Sequence, residues 1–270
     1  MEVHMIIDFH THAFPDALAM RTIEKLSKNS GFAPAGNGTV AGTLKSMREC
    51  GIDKSVICNI ATNAKQTKNV NRFAVLANKH PELISFGSVH PESDYDPELD
   101  FLKESGISGI KLHPDYQQFF INDPKVIPLY EAILKRGFIL IFHTGKDVGV
   151  GEPTHAAPDR LHEVLPMFRG ENVVFAHMGG FLMWKEAEIL LGEDIYLDTS
   201  GCPRLLAPEK ITDMILRHNP KKILFATDYP WEDPKTGLEY IRSLPLADEV
   251  KRGILGENAR ILLNSNGAEL

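Results

Sequence analysis

Met5-Ile6-Ile7-Asp8-Phe9-His10-Thr11-His12 is an apolar run that closes on two histidines one residue apart. Side chains alternate across a strand, so His10 and His12 are expected to share a face with Asp8, with neighbouring Cα positions about 6 to 7 Å apart. Two imidazoles so placed can reach one metal ion, although a His-x-His pair is also an ordinary polar end to a strand. Five further apolar runs end on a residue able to bind metal or carry a proton: His90, His113, His143, His177 and Asp228. Six of the eleven histidines therefore fall at expected strand ends. Imidazole, carboxylate and water form a reasonable donor set for zinc or manganese, and an open position on such an ion would make it catalytic. His90 precedes Pro91 and His113 precedes Pro114, so both read equally well as turn residues. His143 and His177 end runs otherwise too apolar for an imidazole, which favours a chemical role for them.

The elements that must position these residues follow from the periodicity. Eight short apolar runs occur, at 5–12, 55–60, 84–91, 109–114, 138–145, 173–180, 195–200 and 223–230. Segments of helical spacing lie between them, among them 43–51, 69–80, 123–136, 159–168 and 208–218, most stopped by glycine or proline. Strand and helix patterns in strict alternation imply parallel strands joined by crossovers, and eight repeats predict a single (β/α)8 TIM barrel spanning 1–270. In such a barrel the C-terminal strand ends converge on one face, where a metal site would lie. A doubly wound open sheet is the competing architecture, but no G-x-G-x-x-G or G-x-x-x-x-G-K-[ST] follows any strand. The least regular stretch, Ser27–Gly38, reads as a flap over the site or as a plain surface loop.

Composition narrows the partners. A formal net charge of -7 over 270 residues argues against a general nucleic-acid binder, which needs a basic face. Cys50, Cys58 and Cys202 are scattered and odd in number, which argues against a disulfide framework and for a reducing compartment. No apolar run approaches the ~20 residues of a membrane span, and the first strand begins near the N-terminus. A cytoplasmic chain with a small-molecule substrate, no membrane and no nucleic acid is the expectation.

The set Asp8-Phe9-His10-Thr11-His12, Gly109-Ile110-Lys111-Leu112-His113-Pro114, Phe142-His143-Thr144-Gly145, Ala176-His177-Met178-Gly179-Gly180 and Ala226-Thr227-Asp228-Tyr229-Pro230 resembles the amidohydrolase superfamily. Gly-Ile-Lys-Leu-His-Pro and His-Met-Gly-Gly are similar to its amidohydrolase-related branch of metal-dependent hydrolases and aromatic-acid decarboxylases. The resemblance covers nearly the whole chain. It implies that His10, His12, His143 and Asp228 are metal ligands, with His177 either a ligand of a second metal or a catalytic proton carrier. It also implies a homodimer or larger assembly. A single ion is expected, most plainly Zn2+ with Mn2+ as the alternative, and two ions would require a carboxylated Lys111 as a bridge. Lys111 shares a strand face with His113, and an unpaired ammonium inside the barrel is costly. A pairing with Asp8, with Asp198 or with a substrate carboxylate is therefore expected.

Metal coordination lowers the pKa of bound water toward about 7, so the expected reaction is hydrolysis of a small amide, ester or lactone, with Asp228 as base and His177 as acid. The alternative is a non-oxidative decarboxylase of an aromatic or related unsaturated acid. Decarboxylation also needs a clamp for the ring, for which an aromatic content of 8% and short loops after several strands leave modest means. Phe14, Tyr116, Trp231, Arg204, Lys111 and His113 are the expected substrate contacts, with Asn59, His155, Phe119 and Phe120 nearby. A non-catalytic barrel would have to carry a full set of strand-end ligands without using them, which disfavours that third class.

Overall fold

The computed structural model describes residues 4–268, so the outermost ends of the expected 1–270 domain lie outside the described residues. Its strands are β1 (Ile7–Thr11), β2 (Lys54–Cys58), β3 (Leu83–Phe86), β4 (Gly109–Leu112), β5 (Ile139–Phe142), β6 (Val173–Phe175), β7 (Tyr196–Asp198) and β8 (Ile223–Leu224). All pair in parallel in chain order, β1 to β3 in one sheet and β4 to β8 in the other. Two seams close the ring. Gly87 joins β3 to β4, donating to Gly109 O at 2.9 Å and accepting from Lys111 N at 2.8 Å. Phe9 N donates to Phe225 O at 2.8 Å and Asp228 N to His10 O at 2.8 Å, joining β8 to β1. The chain is a TIM barrel.

The crossover helices that matter below are α1 (Asp16–Ser30), α2 (Val40–Cys50), α3 (Thr67–Ala77), α4 (Tyr95–Glu104) and α5 (Pro114–Gln117). They continue with α6 (Ile127–Lys135), α7 (Pro158–Phe168), α8 (Cys202–Leu205), α9 (Pro208–Arg217), α10 (Pro234–Ser243), α11 (Asp248–Arg252) and α12 (Asn258–Ser265). None is long and apolar enough to cross a membrane among the described residues. A strand buried on both faces must be apolar at every position, which is why β5 reads Ile-Leu-Ile-Phe. Alternate strand residues split into two cores. Ile7, Phe9, Val56, Phe86, Ile141 and Val174 fill the barrel, while Leu112, Leu140, Phe142, Phe175, Leu197 and Phe225 pack outward on the helices. Ala259, Leu262 and Leu263 of α12 join the inner set and seal the barrel.

One expectation fails at β1. Its register with β2 shifts between Asp8 and Thr11, a bulge that changes which residues face inward. Asp8 does not share the face of His10 and His12. It lines a narrow cleft against α2 with Thr11, Thr43, Ser46, Ser55 and Tyr229.

Candidate metal centre

Asp8 nevertheless reaches the site through the backbone. It accepts hydrogen bonds from Thr227 N at 3.0 Å and Thr227 Oγ1 at 2.5 Å, fixing the residue before Asp228. Burial, opposed by these bonds, pushes its carboxyl up to about 7. Asp228 then turns with a left-handed φ of 60° and comes between the two strand-one histidines. Its Oδ1 lies 3.0 Å from His12 Nε2 and 3.6 Å from His10 Nε2. One donor atom from each of His10, His12 and Asp228 falls within 4.8 Å of the others.

The hydrogen bonds around this trio test whether it fits a divalent cation. His12 Nδ1 donates to Cys58 O at 2.8 Å, and a carbonyl oxygen only accepts, so in a neutral ring Nε2 carries a lone pair. That lone pair faces a carboxylate oxygen, an acceptor against an acceptor, which a shared cation relieves. Burial works to raise the Asp228 carboxyl, but the His12, His10 and His177 imidazoles packed around it outweigh this and hold it well below the usual carboxylate range, so it is an anion. Burial and the Lys111 charge push the His10 ring down to about 3, so it is neutral. A third sign is His143 Nε2, buried with no hydrogen-bond partner. The donors present fit a divalent metal.

His143 itself stands to one side. It is not within the 4.8 Å set of His10, His12 and Asp228; its Nδ1 is 3.0 Å from His177 Nε2 and its ring stacks on His113 at 4.0 Å and 8°. His113, His143 and Asp147 also bring donor atoms within 4.8 Å. Rings stacked in parallel planes cannot both direct an in-plane lone pair at one ion, so this second group is not a shared metal site as it stands. His113 is a cap and a wall: its Nδ1 accepts from Tyr116 N at 3.3 Å at the start of α5, its Nε2 meets Asp147 Oδ2 at 3.3 Å, and the Tyr116 ring lies 4.4 Å away. His90 is a turn residue, its Nδ1 accepting from Glu92 N at 3.2 Å. His155 pairs with Asp115 at 2.9 Å and with Phe120 at 4.7 Å.

Lys111 is 1% exposed, and burial pushes its ammonium pKa down. Asp8 is not its partner, and among the described residues no carboxylate lies within 4.0 Å of its Nζ; His10 Nε2, at 3.3 Å, is its neighbour. Asp198 acts on it only as a more distant charge.

The aromatic wall comes from residues the sequence reading did not single out. After β6 the chain turns through His177 at φ 57° and Met178 at φ 53°, and Phe181 N donates to Thr144 O at 2.9 Å. This places Phe181 5.5 Å from the His177 ring, with Phe32 of the Ser27–Gly38 stretch 6.4 Å further out. Residues 27–30 of that stretch close α1, and 31–38 form a loop tied down by Ala35 N to Pro230 O at 2.7 Å, called the flap below for its place over the site. Arg204 is not poised for a carboxylate: exposed, it lies 5.1 Å over Phe32 and donates to Trp231 O at 2.9 Å, latching the flap. Trp231 is half-buried, and Phe14 is half-buried with its backbone paired to Gly38. Ser200, buried at the end of β7, and Glu232, whose carboxyl burial pushes up to about 7, were also missed, and Asp198, buried beside Ser200, was named only as a partner for Lys111. The polar run Asp198-Thr199-Ser200 ending an apolar strand was the available signal.

Gly145 anchors this wall. Its φ is +84°, and a Cβ there would lie 2.1 Å from Phe181 N. Gly145→Ala is therefore expected to cost on the order of 1–3 kcal/mol and to lower Tm in a circular-dichroism melt. An unchanged Tm would mean that the Phe181 segment is not held against strand five.

A sequence profile described as Amidohydrolase matches residues 7–264. No curated protein matches the chain significantly. Solved structures of similar fold include an uncharacterised TIM-barrel protein from Bordetella bronchiseptica, at TM-score 0.77 and 21% identity over 97% of this chain and 99% of that one. A 5-carboxyvanillate decarboxylase from Sphingomonas paucimobilis aligns at TM-score 0.69 and 16% identity over 97% and 99% of the two chains. A dihydroxybenzoic acid decarboxylase from a Polaromonas species, with bound manganese and the inhibitor 2-nitroresorcinol, aligns at 0.71 and 17% over 97% and 98%. These neighbours correct the expectation of a hydrolase of amides, esters or lactones: where they carry a named activity, it is decarboxylation. The physical ground of that expectation is weaker than composition suggested, because Phe181 and Phe32 add aromatic surface beside the donor set.

Proposed function

Because this chain belongs to the amidohydrolase family, whose members are enzymes, we propose that it is a divalent-metal-dependent, non-oxidative decarboxylase of a phenolic or related unsaturated carboxylic acid. The observation that carries this reading is the unbroken row of rings from the donor set to the flap. His10 lies 5.3 Å from His177, His177 5.5 Å from Phe181, and Phe181 6.4 Å from Phe32. Successive planes are tilted by 35°, 59° and 75°, so a flat ring would lie against one face and meet the next ring edge-on, and each good aromatic contact adds about 0.5–1.5 kcal/mol beyond its area.

His10, His12 and Asp228 would hold the ion, with His143 as a further ligand through Nε2. Bound there, the ion would supply a Lewis-acidic seat for the substrate carboxylate and its neighbouring hydroxyl oxygen. Manganese is favoured over zinc by the manganese in the Polaromonas structure. One ion is favoured because His177 has both nitrogens engaged, Nε2 with His143 and Nδ1 with Ser200. Lys111 neutralises a substrate oxyanion from inside the barrel, and Phe181 and Phe32 hold the ring and exclude water. The bond from ring carbon to carboxyl breaks, its electron pair stays on the ring carbon, that carbon takes one proton, and CO2 leaves. That proton comes from solvent, and Asp228 or His177 would pass it on after taking it up, since Asp228 is otherwise ionised and the His177 Nδ1 hydrogen is given to Ser200.

The deciding experiment incubates the manganese-loaded protein in deuterated water with hydroxybenzoates and, in parallel, with simple esters, lactones and amides. CO2 release with one deuterium at the vacated ring carbon is expected. Hydrolysis of an ester, lactone or amide with no CO2 from any acid would overturn the reading.

A further inference from the structure

Asp198 meets three elements of the site at once. Its Oδ1 accepts from His177 N at 2.9 Å, from Ser200 N at 3.0 Å and from the Ser200 hydroxyl, and its Oδ2 faces His10 Nδ1 at 3.0 Å. Both backbone N–H groups can only donate, so Oδ1 is committed as an acceptor. Serine has one hydroxyl hydrogen, and it is given to Asp198, so Ser200 Oγ can only accept from the His177 Nδ1 that lies 2.8 Å away. Ser200 O, 3.1 Å from the same nitrogen, is likewise an acceptor. His177 Nδ1 therefore carries hydrogen, its Nε2 carries a lone pair, and the His143 Nδ1 that faces it at 3.0 Å must donate. That leaves the partnerless His143 Nε2 as a bare lone pair. His10 follows the same logic: its Nδ1–H goes to Asp198 Oδ2, with Ser200 Oγ also 3.2 Å away, and its Nε2 lone pair lies 3.3 Å from Lys111 Nζ, which can only donate as an ammonium, and 3.6 Å from Asp228 Oδ1.

We propose that Asp198, with Ser200 as its relay, is a positioning residue that sets the tautomers of His10, His177 and His143 so that His10 and His143 present Nε2 lone pairs to the metal. The inference rests on the reading of His10 as a ligand, and it makes an unusual ranking. In Asp198→Asn the amide oxygen must occupy the Oδ1 place, because two backbone N–H groups point there. The amide NH2 then faces His10 Nδ1, forces it to accept, and moves the ring hydrogen to Nε2, where it blocks coordination. Asp198→Ala makes no such demand and leaves His10 free to take the tautomer the metal selects. The nearly isosteric change is therefore the more harmful one.

Mn2+ affinity of the full-length chain, measured by chelator competition, should fall on the order of 10- to 100-fold in Asp198→Asn and by less in Asp198→Ala. Ring 15N shifts should report hydrogen on His10 Nδ1 in the metal-free parent chain and on Nε2 in Asp198→Asn. Affinity in Asp198→Asn equal to the parent's, or an equal or greater loss in Asp198→Ala, overturns the proposal. So does hydrogen on His10 Nε2 in the parent chain, a measurement that needs no variant to fold. If His10→Ala leaves metal content unchanged, it is the metal reading that fails, and the ring shifts still decide the tautomer assignment on their own.

Discussion

Single replacement of His10, His12 or Asp228 by alanine is expected to leave the purified chain short of metal and without turnover. Each change removes one of three donors that converge within 4.8 Å. The loss in metal affinity should exceed the roughly 10- to 100-fold that follows from losing an outer partner of a ligand. Elemental analysis reads the result directly. Stoichiometric metal in all three variants would reject the assignment, whereas inactivity alone would not separate a ligand from an acid or base. The same ion should raise thermal stability, because a ligand held at 100 times its Kd stabilises the folded state by about 2.7 kcal/mol. Chelation should therefore lower Tm in the parent and leave the three variants unmoved.

His177→Asn is the second large effect. The ring touches His10, His143 and Phe181, and it is 2% exposed. As a proton carrier in a one-metal site, its loss should lower turnover on the order of 10²-fold or more while metal content stays near one per chain. A drop from two metals to one would make His177 a ligand instead and would return Lys111 to the role of a bridge. The His143 position sharpens the test, since the variant frees His143 Nδ1 from its 3.0 Å partner. Metal content that holds while His143 loses this contact would show that the ion is carried chiefly by the strand-one pair and Asp228.

Much of this architecture was legible because period is a local property. The eight apolar runs become the eight strands, and His10, His12, His113, His143 and His177 at their ends do converge, as the ends of parallel strands in a closed ring must, while His90 stays in a turn. Asp8 was misplaced because a bulge depends on the neighbouring strand's register, which the Asp8-Phe9-His10 spacing does not carry. Phe181 and Phe32 escaped for a related reason: their loops are aimed by contacts to Thr144 and to Pro230, each made across the fold. Asp198 entered only as a partner for Lys111 and Ser200 not at all, because the polar run that ends their strand carries no motif spacing. Arg204 was plausible as a carboxylate binder by type alone, and only the position of Phe32 shows its guanidinium already engaged.

The left-handed backbone at His177 and Asp228 sets a ceiling on how this chain can be improved. A residue with a Cβ held at φ near 60° is strained, by roughly 1 kcal/mol or more, and glycine at the same place is not. The two residues assigned to proton delivery are therefore also two of the places where the barrel would gain stability by losing its chemistry. A laboratory selection scored only on melting temperature would find those positions early and end with a sturdier, inert protein. Thermostable variants of this chain are better sought in the outer helices, with both turns held constant.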